Sequence, residues 1–337
     1  MKRVKKGFGI IILMGVATLF GLRAIYRADM EPVSRTQYIM GTLVEITAYG
    51  KNTEPAIEAA FDRMRAIERQ VGRDERSDIS RINARAGISG VKVGGDTWKM
   101  MQTAVDYWKI TAGAFDVSVG PLVDLWGFGY DGEGRLPGAA AITAVMPKIG
   151  SGKMIFNPTE RSVELPKAGM AITVGGIAKG YAVEEAARIL RARGVKNAIV
   201  NGGNSSIKVI GAGPPGRGWR IGIDDPRRPG KILGVIVLRS GESLGTSADN
   251  IRFIIKNGRR YSHIIDPRTG RPTARGIALV TVITENATQA DILTKALFLN
   301  DIHWSLRFLK KRHIRALFVD ARDRIRTTPG LKIEKAN

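Results

Sequence analysis

The chain has 337 residues, 44% hydrophobic and 25% charged, and contains no cysteine. That composition excludes global disorder and a polytopic membrane protein; the missing cysteine excludes disulfides, thiolate metal sites, a thiol nucleophile and a lipid-modified N-terminal cysteine. Lys and Arg number 53 against 31 Asp and Glu, a net charge of +22 that points to anionic partners.

Part of that charge is local. Residues 1–28 hold six basic residues and no acid, which leaves 47 basic against 31 acidic residues elsewhere, a net +16. Those residues are scattered, and no DNA- or RNA-reading motif accompanies them. A solvated basic surface is therefore favoured over a nucleic-acid groove, and no nucleic-acid partner is expected. Gly7 to Leu22 is an uncharged run of 16 residues behind four cations. As a helix it reaches ~24 Å, which snorkelling by Lys6 and Arg23 extends toward the ~30 Å hydrocarbon core. The run is long for a secretory segment and lacks a clear cleavage site. We read 1–28 as an uncleaved signal anchor, with a cleaved signal peptide as the alternative. Either one sends the globular part out of the cytoplasm, and the anchor holds it to the inner membrane.

Residues 35–49 predict a strand broken at Met40-Gly41-Thr42. Thr53-Glu54-Pro55 has the capping residue, acid and early proline of a helix start, and Ile57, Ala60, Phe61, Met64, Ile67 and Val71 follow at helical spacing. Asp96 predicts the cap of a second helix carrying Met100, Met101, Ala104, Val105 and Trp108. Residues 127–147 read as a connection. A helix over 178–193 ends at Gly194, and a short strand over 197–200 closes on Asn201-Gly202-Gly203. Strands over 233–238, 251–255 and 276–283 follow. Then come helices over 288–299 and 301–311, a strand over 314–319, and a basic, poorly ordered tail over 323–337. Strands and helices mix without βα alternation, so the fold class is α+β, with one domain over 35–322 behind the N-terminal helix.

Three segments hold residues suited to chemistry. His263 lies in Tyr261-Ser262-His263-Ile264-Ile265-Asp266-Pro267-Arg268-Thr269-Gly270, where a strand end meets a tight turn. Histidine, carboxylate and arginine at one rim suit proton transfer beside a phosphate, but Asp-Pro turns are also common structural punctuation. His303 and His313 lie among C-terminal helical residues and read as structural or exposed. Gly175-Gly176-Ile177-Ala178-Lys179-Gly180-Tyr181 opens a helix, where backbone N–H groups and the helix dipole suit an anion. It matches no Walker A or G-x-G-x-x-G pattern, and close backbone packing is the alternative. Ala114-Phe115-Asp116, before Pro121-Leu122-Val123 and Leu125-Trp126-Gly127, suits either a planar ring or the core, and residues alone favour the core.

Taken in order, these segments resemble the ApbE family, the FAD:protein FMN transferases. The resemblance runs from about Tyr38 to Phe298. It also takes in Ser77–Asn83, Trp219–Ile223, Thr246-Ser247-Ala248-Asp249 and Ala290-Asp291. It implies an ApbE-like, T-fold-related arrangement of mixed sheets packed with helices. It implies an outward-facing enzyme that uses FAD and magnesium to place FMN, through a phosphoester, on a Thr or Ser of an acceptor protein, with release of AMP. His263, with Asp266, then handles the proton. The Gly176 carbonyl and Asp291 match metal positions, and Thr294 is the candidate third metal ligand. Met40, Ala114, Phe115, Asp116, Thr173, Lys179 and Ile265 match flavin-contact segments.

Departures from the family pattern keep other functions in view. Thr173 stands where the glycine-rich motif begins with aspartate, and Asn250 replaces an aromatic. Lys295 occupies the position four residues after Asp291 where a metal-binding threonine is expected. Thr294, one residue earlier, is placed to substitute. Alternatively, the Lys295 ammonium replaces part of the metal's charge, or catalysis is lost. The alternatives are a flavin-binding member with weakened transfer, an FAD pyrophosphatase, and, from another class, a basic adaptor.

Overall fold

Residues Pro32–Ile39 (β1) and Thr42–Tyr49 (β2) pair as a hairpin around a two-residue turn, Met40–Gly41, with positive φ at both positions. That turn geometry matches the twist of antiparallel strands. The computed structural model describes residues 31–129, 132–214, 218–250, 253–256 and 258–335, so the helix expected over 1–28 lies outside the described residues.

The hairpin starts an eight-stranded sheet. It continues through Asn197–Gly202 (β3), Ser206–Ile210 (β4), Ser243–Ala248 (β5), Ile277–Thr284 (β6), Arg315–Asp320 (β7) and Ile325–Thr327 (β8). Every neighbouring pair is antiparallel and the spatial order equals the chain order. In such a sheet the β1–β2, β3–β4, β5–β6 and β7–β8 connections all lie at one end. That rim carries the candidate site.

Helices fill the connections. Glu54–Val71 (α1), Asp78–Ala84 (α2), Gly95–Ile110 (α3), Gly120–Trp126 (α4), Ala139–Val145 (α5) and Ala178–Ala192 (α6) lie between β2 and β3; Ala287–Phe298 (α7) and Ile302–Lys310 (α8) lie between β6 and β7. Strand alternation points Val44, Ile46, Ala48, Val200, Val280 and Val282 toward Ile57, Phe61 and Met64 of α1, Ala182 and Ala186 of α6, and Ile292 and Ala296 of α7. The opposite face, with Ile207, Val209, Leu244 and Leu317, is covered by the hairpin of Trp219–Asp224 and Ile232–Leu238. A third cluster, Leu122, Trp126, Phe128, Ile142, Ile149, Ile254 and Ile265, lies beneath the segment that holds His263.

Two expectations are corrected. The tail over 323–337 is ordered through residue 335. Ile325–Thr327 pairs with β7, Leu331 is buried against the Trp219 hairpin, and Glu334 pairs with Val235 through the backbone and with Arg220 through its side chain. Apolar Leu331 and Ile333 are what anchor this otherwise basic segment. The second correction concerns Asp96. Gly94 is the N-cap of α3, and Asp96, inside the first turn, points across to α1 and α6. There it accepts hydrogen bonds from Arg63, at 2.7 Å to Nη1, and from the Tyr181 hydroxyl at 2.8 Å. Arg63 also donates to Glu185 at 2.8 Å.

Burial pushes the Asp96 carboxyl upward, but the hydrogen bonds from Arg63 and Tyr181 outweigh it and hold the group below its ordinary 3.8. A depressed carboxyl contributes stability above its unfolded value and loses it as pH falls through the folded one. Asp96→Ala should therefore lose about 2 kcal/mol in urea unfolding at pH 7, and its deficit should shrink below about pH 4. Equal stability at pH 7 would show that the network contributes nothing.

Candidate active site

Asp291 is central to the site, with no exposed surface on α7. Its Oδ2 accepts the Gly180 N–H at 2.8 Å and its Oδ1 accepts the Ser206 hydroxyl at 2.5 Å. A buried carboxylate requires such donors. The Gly180 contact demands glycine, because a Cβ there would lie 2.4 Å from the Ala287 carbonyl oxygen and 2.9 Å from the Asp291 Cβ. The start of α6 is thereby held against α7 and β4.

Two ammonium groups flank this carboxylate. Lys295, one turn along α7, holds its Nζ 3.8 Å from Asp291 Oδ1 with 26% of its side chain exposed. Lys179, in the first turn of α6, donates to the Ser205 hydroxyl in the β3–β4 turn. Burial pushes the Lys179 ammonium below its ordinary value; Asp291 opposes this and Lys295 adds to it. Thr294 is buried: its hydroxyl donates to the Asp291 carbonyl at 2.7 Å and accepts from Ser247 on β5 at 2.8 Å. Gly176 lies beside both Lys295 and Phe115, since a Cβ on it would be 4.0 Å from Lys295 Cγ and 3.1 Å from the Phe115 ring.

The structure thus brings together Gly176, Lys179, Asp291, Thr294, Lys295 and Phe115, all singled out in the sequence. Ala114 is buried beside Phe115. Thr173 is half-buried, and its N–H donates to the Val117 carbonyl at 2.7 Å. Met40 lies in the β1–β2 turn of the same rim, where its strained positive φ is held by an N–H bond to Glu68 at 2.6 Å.

The His263 segment, tied through Arg268 to the C-terminal end of α7, is the second half of the candidate site. His263 is half-buried between the strand Arg259–Ser262 and the short pair Ile265–Asp266 with Arg271–Pro272. Ile265 belongs to the third hydrophobic cluster and so supports the turn from below. Asp266 is spent within the turn: it accepts the Arg268 N–H at 3.0 Å, Nε at 2.8 Å and Nη2 at 2.8 Å. Its expected share in proton handling is therefore corrected to positioning. Arg268 continues to the Asn300 amide oxygen at 2.9 Å and the Leu299 carbonyl at 2.8 Å, which clips the turn to the C-terminal end of the helix that carries Asp291. Trp126 Nε1 donates to the Gly270 carbonyl at 2.8 Å. Gly270 has φ +68°, and a Cβ there would lie 2.6 Å from Ile142.

Residues 113–116 run between the two halves. Gly113 and Asp116 line a cavity of about 320 Å³ with Trp108, Gly150, Pro267 and Arg268, while the Phe115 ring faces Gly176. The Asp116 carboxylate, expected at the flavin, instead joins two loops. It accepts from Ser118 N–H at 2.7 Å and Oγ at 2.6 Å, and from Ser151 N–H at 3.1 Å and Oγ at 2.5 Å. All four donors reach Oδ1, and Oδ2 shares only the Ser151 N–H at 3.1 Å, so Asp116 ties the loops together while lining the cavity.

Sequence reasoning missed Ser205, Ser206, the bond from Trp126 to the Gly270 carbonyl and the clamp made by Arg268 and Asn300. Ser205 and Ser206 follow Asn201-Gly202-Gly203, so the turn signal was present, but only the Asp291 and Lys179 partnerships reveal their function. His303 and His313 are exposed, on α8 and just after it.

Residues 40–318 match the model of the ApbE family. An FAD:protein FMN transferase of Klebsiella pneumoniae is 31% identical over 90% of this chain and 94% of its own length. One from Treponema pallidum is 29% identical over 96% and 93%. The crystal structure of an ApbE protein from Thermotoga maritima superposes with a TM-score of 0.81 at 32% identity, covering 89% of this chain and 97% of that one. The flavinyl transferase ApbE of Pseudomonas stutzeri, in its apo form, gives 0.77 at 28% identity, covering 88% and 94%. With the match extending from the Met40 turn to the end of β7, the chain belongs to the ApbE family.

Proposed function

We propose that this chain transfers FMN from FAD to a Thr or Ser hydroxyl of an acceptor protein and releases AMP. One observation carries the reading: the Arg268 clip ties the His263 turn to the helix whose Asp291 is flanked by Lys179 and Lys295. An imidazole segment and a cationic rim are thus fixed to one element, in a chain whose relatives are named FAD:protein FMN transferases.

In this reading the acceptor oxygen attacks the FMN-side phosphorus of FAD. A bond forms from that oxygen to phosphorus, and the bridging P–O bond breaks with its electron pair going to AMP. The hydroxyl proton passes to the His263 imidazole, the half-buried base of this rim. Lys179 and Lys295 stabilise the charge that gathers on the phosphate oxygens. Asp266 and Arg268 keep the turn in place and take no proton. Phe115, Met40 and the 173–176 loop supply apolar and backbone surface for the nucleotide.

Magnesium, implied by the resemblance at Gly176, Asp291 and Thr294, does not fit these residues. Asp291 is the one carboxylate of that set, and the Lys295 ammonium already lies 3.8 Å from its Oδ1. A dication on Asp291 Oδ1 would share that oxygen with the Lys295 ammonium. Charges about 4 Å apart repel by roughly 4 kcal/mol per unit of charge product at an effective dielectric of ~20. No step is therefore assigned to a metal.

Membrane anchoring and an extracytoplasmic location for the globular part also belong to this proposal. They are supported by the cationic, apolar pattern of 1–28. Among the described residues no helix is long and apolar enough to cross a membrane.

Incubation of the chain with FAD and a candidate acceptor should add the mass of FMN to one Thr or Ser and release AMP. FMN and AMP without an adduct would mean a pyrophosphatase; intact FAD across plausible acceptors would reject transfer. His263→Ala should lower the transfer rate by about 10²–10⁴-fold while leaving FAD affinity within about threefold; full turnover would place the base elsewhere. Arg268→Ala should lower kcat by about tenfold and stability by about 2 kcal/mol, because the turn loses both Asp266 and the end of α7. An unchanged kcat would show that the clip does not position His263.

A further inference from the structure

The rim has an uncompensated positive charge. Asp291 is one carboxylate with no exposed surface, and the ammonium groups of Lys179 and Lys295 both act on it. Its Oδ2 accepts the Gly180 N–H and its Oδ1 the Ser206 hydroxyl, and neither Lys179 nor Lys295 donates a hydrogen bond to it. Lys179 instead donates to Ser205. Lys295 runs its stem past Gly176 and leaves its ammonium partly exposed, at the loop that precedes the first turn of α6. That arrangement suits an incoming anion of high charge density, because a partly exposed ammonium retains donors for it.

We propose that Lys295 takes the place of a divalent cation at this site, so that a pyrophosphate group binds between Lys295 and Lys179 without any metal ion. The identification of that group as the pyrophosphate of FAD rests on the transferase reading above. The site would accept ADP or inorganic pyrophosphate through the same contacts.

Lys295 is suited to this function by its spacing as well as its charge. Asp291 and Lys295 are one turn apart on α7 and share a face, so the ammonium returns to the carboxylate of its own helix. Thr294 faces Ser247 and its own helix backbone and offers no charge. A threonine at 295 would remove the cation next to Asp291 and leave that carboxylate with Lys179 alone, so the repulsion that Lys295 exerts on a dication would be gone.

The test is calorimetric titration of the full chain with FAD, ADP and inorganic pyrophosphate, each in excess EDTA and in excess magnesium. For the natural chain, affinities in the two conditions should agree within about twofold. Lys295→Thr should lose about tenfold in EDTA and regain affinity with magnesium, whereas Lys295→Arg should remain independent of magnesium. Loss of binding by the natural chain in EDTA, or a Lys295→Thr variant that binds as well as the natural chain without metal, overturns the proposal. FAD binding that needs magnesium defeats this inference and leaves the transferase reading standing. Metal-free, Lys295-dependent binding of pyrophosphate with no binding of FAD supports the inference and defeats the flavin reading. Circular dichroism of each variant separates lost binding from lost fold.

Discussion

A carboxylate with no exposed surface persists only when its oxygens are supplied with donors, and Asp291 imposes that condition on everything around it. Its Oδ2 draws the first turn of α6 against α7, which requires a residue without a Cβ at 180. Its Oδ1 draws in Ser206 at the start of β4, and the turn before that strand then brings Ser205 to Lys179. The carboxylate also lies where the dipole of α6 favours negative charge. One buried charge thus sets the spacing of two helices and a strand tip, and its two lysine neighbours follow from those positions.

The sheet explains why residues so distant in sequence share this rim. With eight antiparallel strands in chain order, every odd-to-even connection returns to the same end. The Met40 turn, the 203–205 turn and the long β5–β6 connection with His263 are therefore neighbours by topology. A long connection needs its own support to hold a side chain in place. The third hydrophobic cluster supplies it from below, the Trp126 bond to Gly270 fixes its turn, and Arg268 ties it to α7. The segment 113–116 then connects both halves, with Asp116 used to hold the loops and Phe115 left to face Gly176.

What was legible in the sequence follows from how each element is stabilised. The amphipathic stripe of α1 reads directly, because Ile57, Phe61, Met64 and Ile67 meet the core at helical spacing. β5 does not read: Ser243–Ala248 is buried on both faces by its neighbours and carries small polar residues in place of alternating apolar ones. Asp96 looks like a cap because capping is a local pattern, but its partners, Arg63 and Tyr181, are distant in sequence. Asp116 and Asp266 show the same limit. A carboxylate beside glycine and proline suggests chemistry, and only the coordinates reveal that Ser118, Ser151 and Arg268 have already used it. The tail misleads through composition, since two apolar residues among the bases are enough to dock it.

Lysine and a bound dication place different demands on a protein. A magnesium ion needs several oxygen ligands in near-octahedral geometry, and a protein usually supplies one or more free carboxylates for it. Asp291 is the acid next to these lysines, and its charge is already matched by Lys295 and Lys179. The two ammonium groups exceed the one carboxylate by a unit charge, so a pyrophosphate diester, which carries two negative charges, has half of its charge offset here with no further ion. An ammonium on a four-carbon stem also moves with the phosphate oxygens as a P–O bond lengthens, which a rigid coordination shell does only by rearranging its ligands. The guanidinium of Arg268 is unavailable for that task because Asp266 and the end of α7 occupy it. The chemistry at the phosphates therefore falls to lysines, and the arginine serves the geometry of the turn.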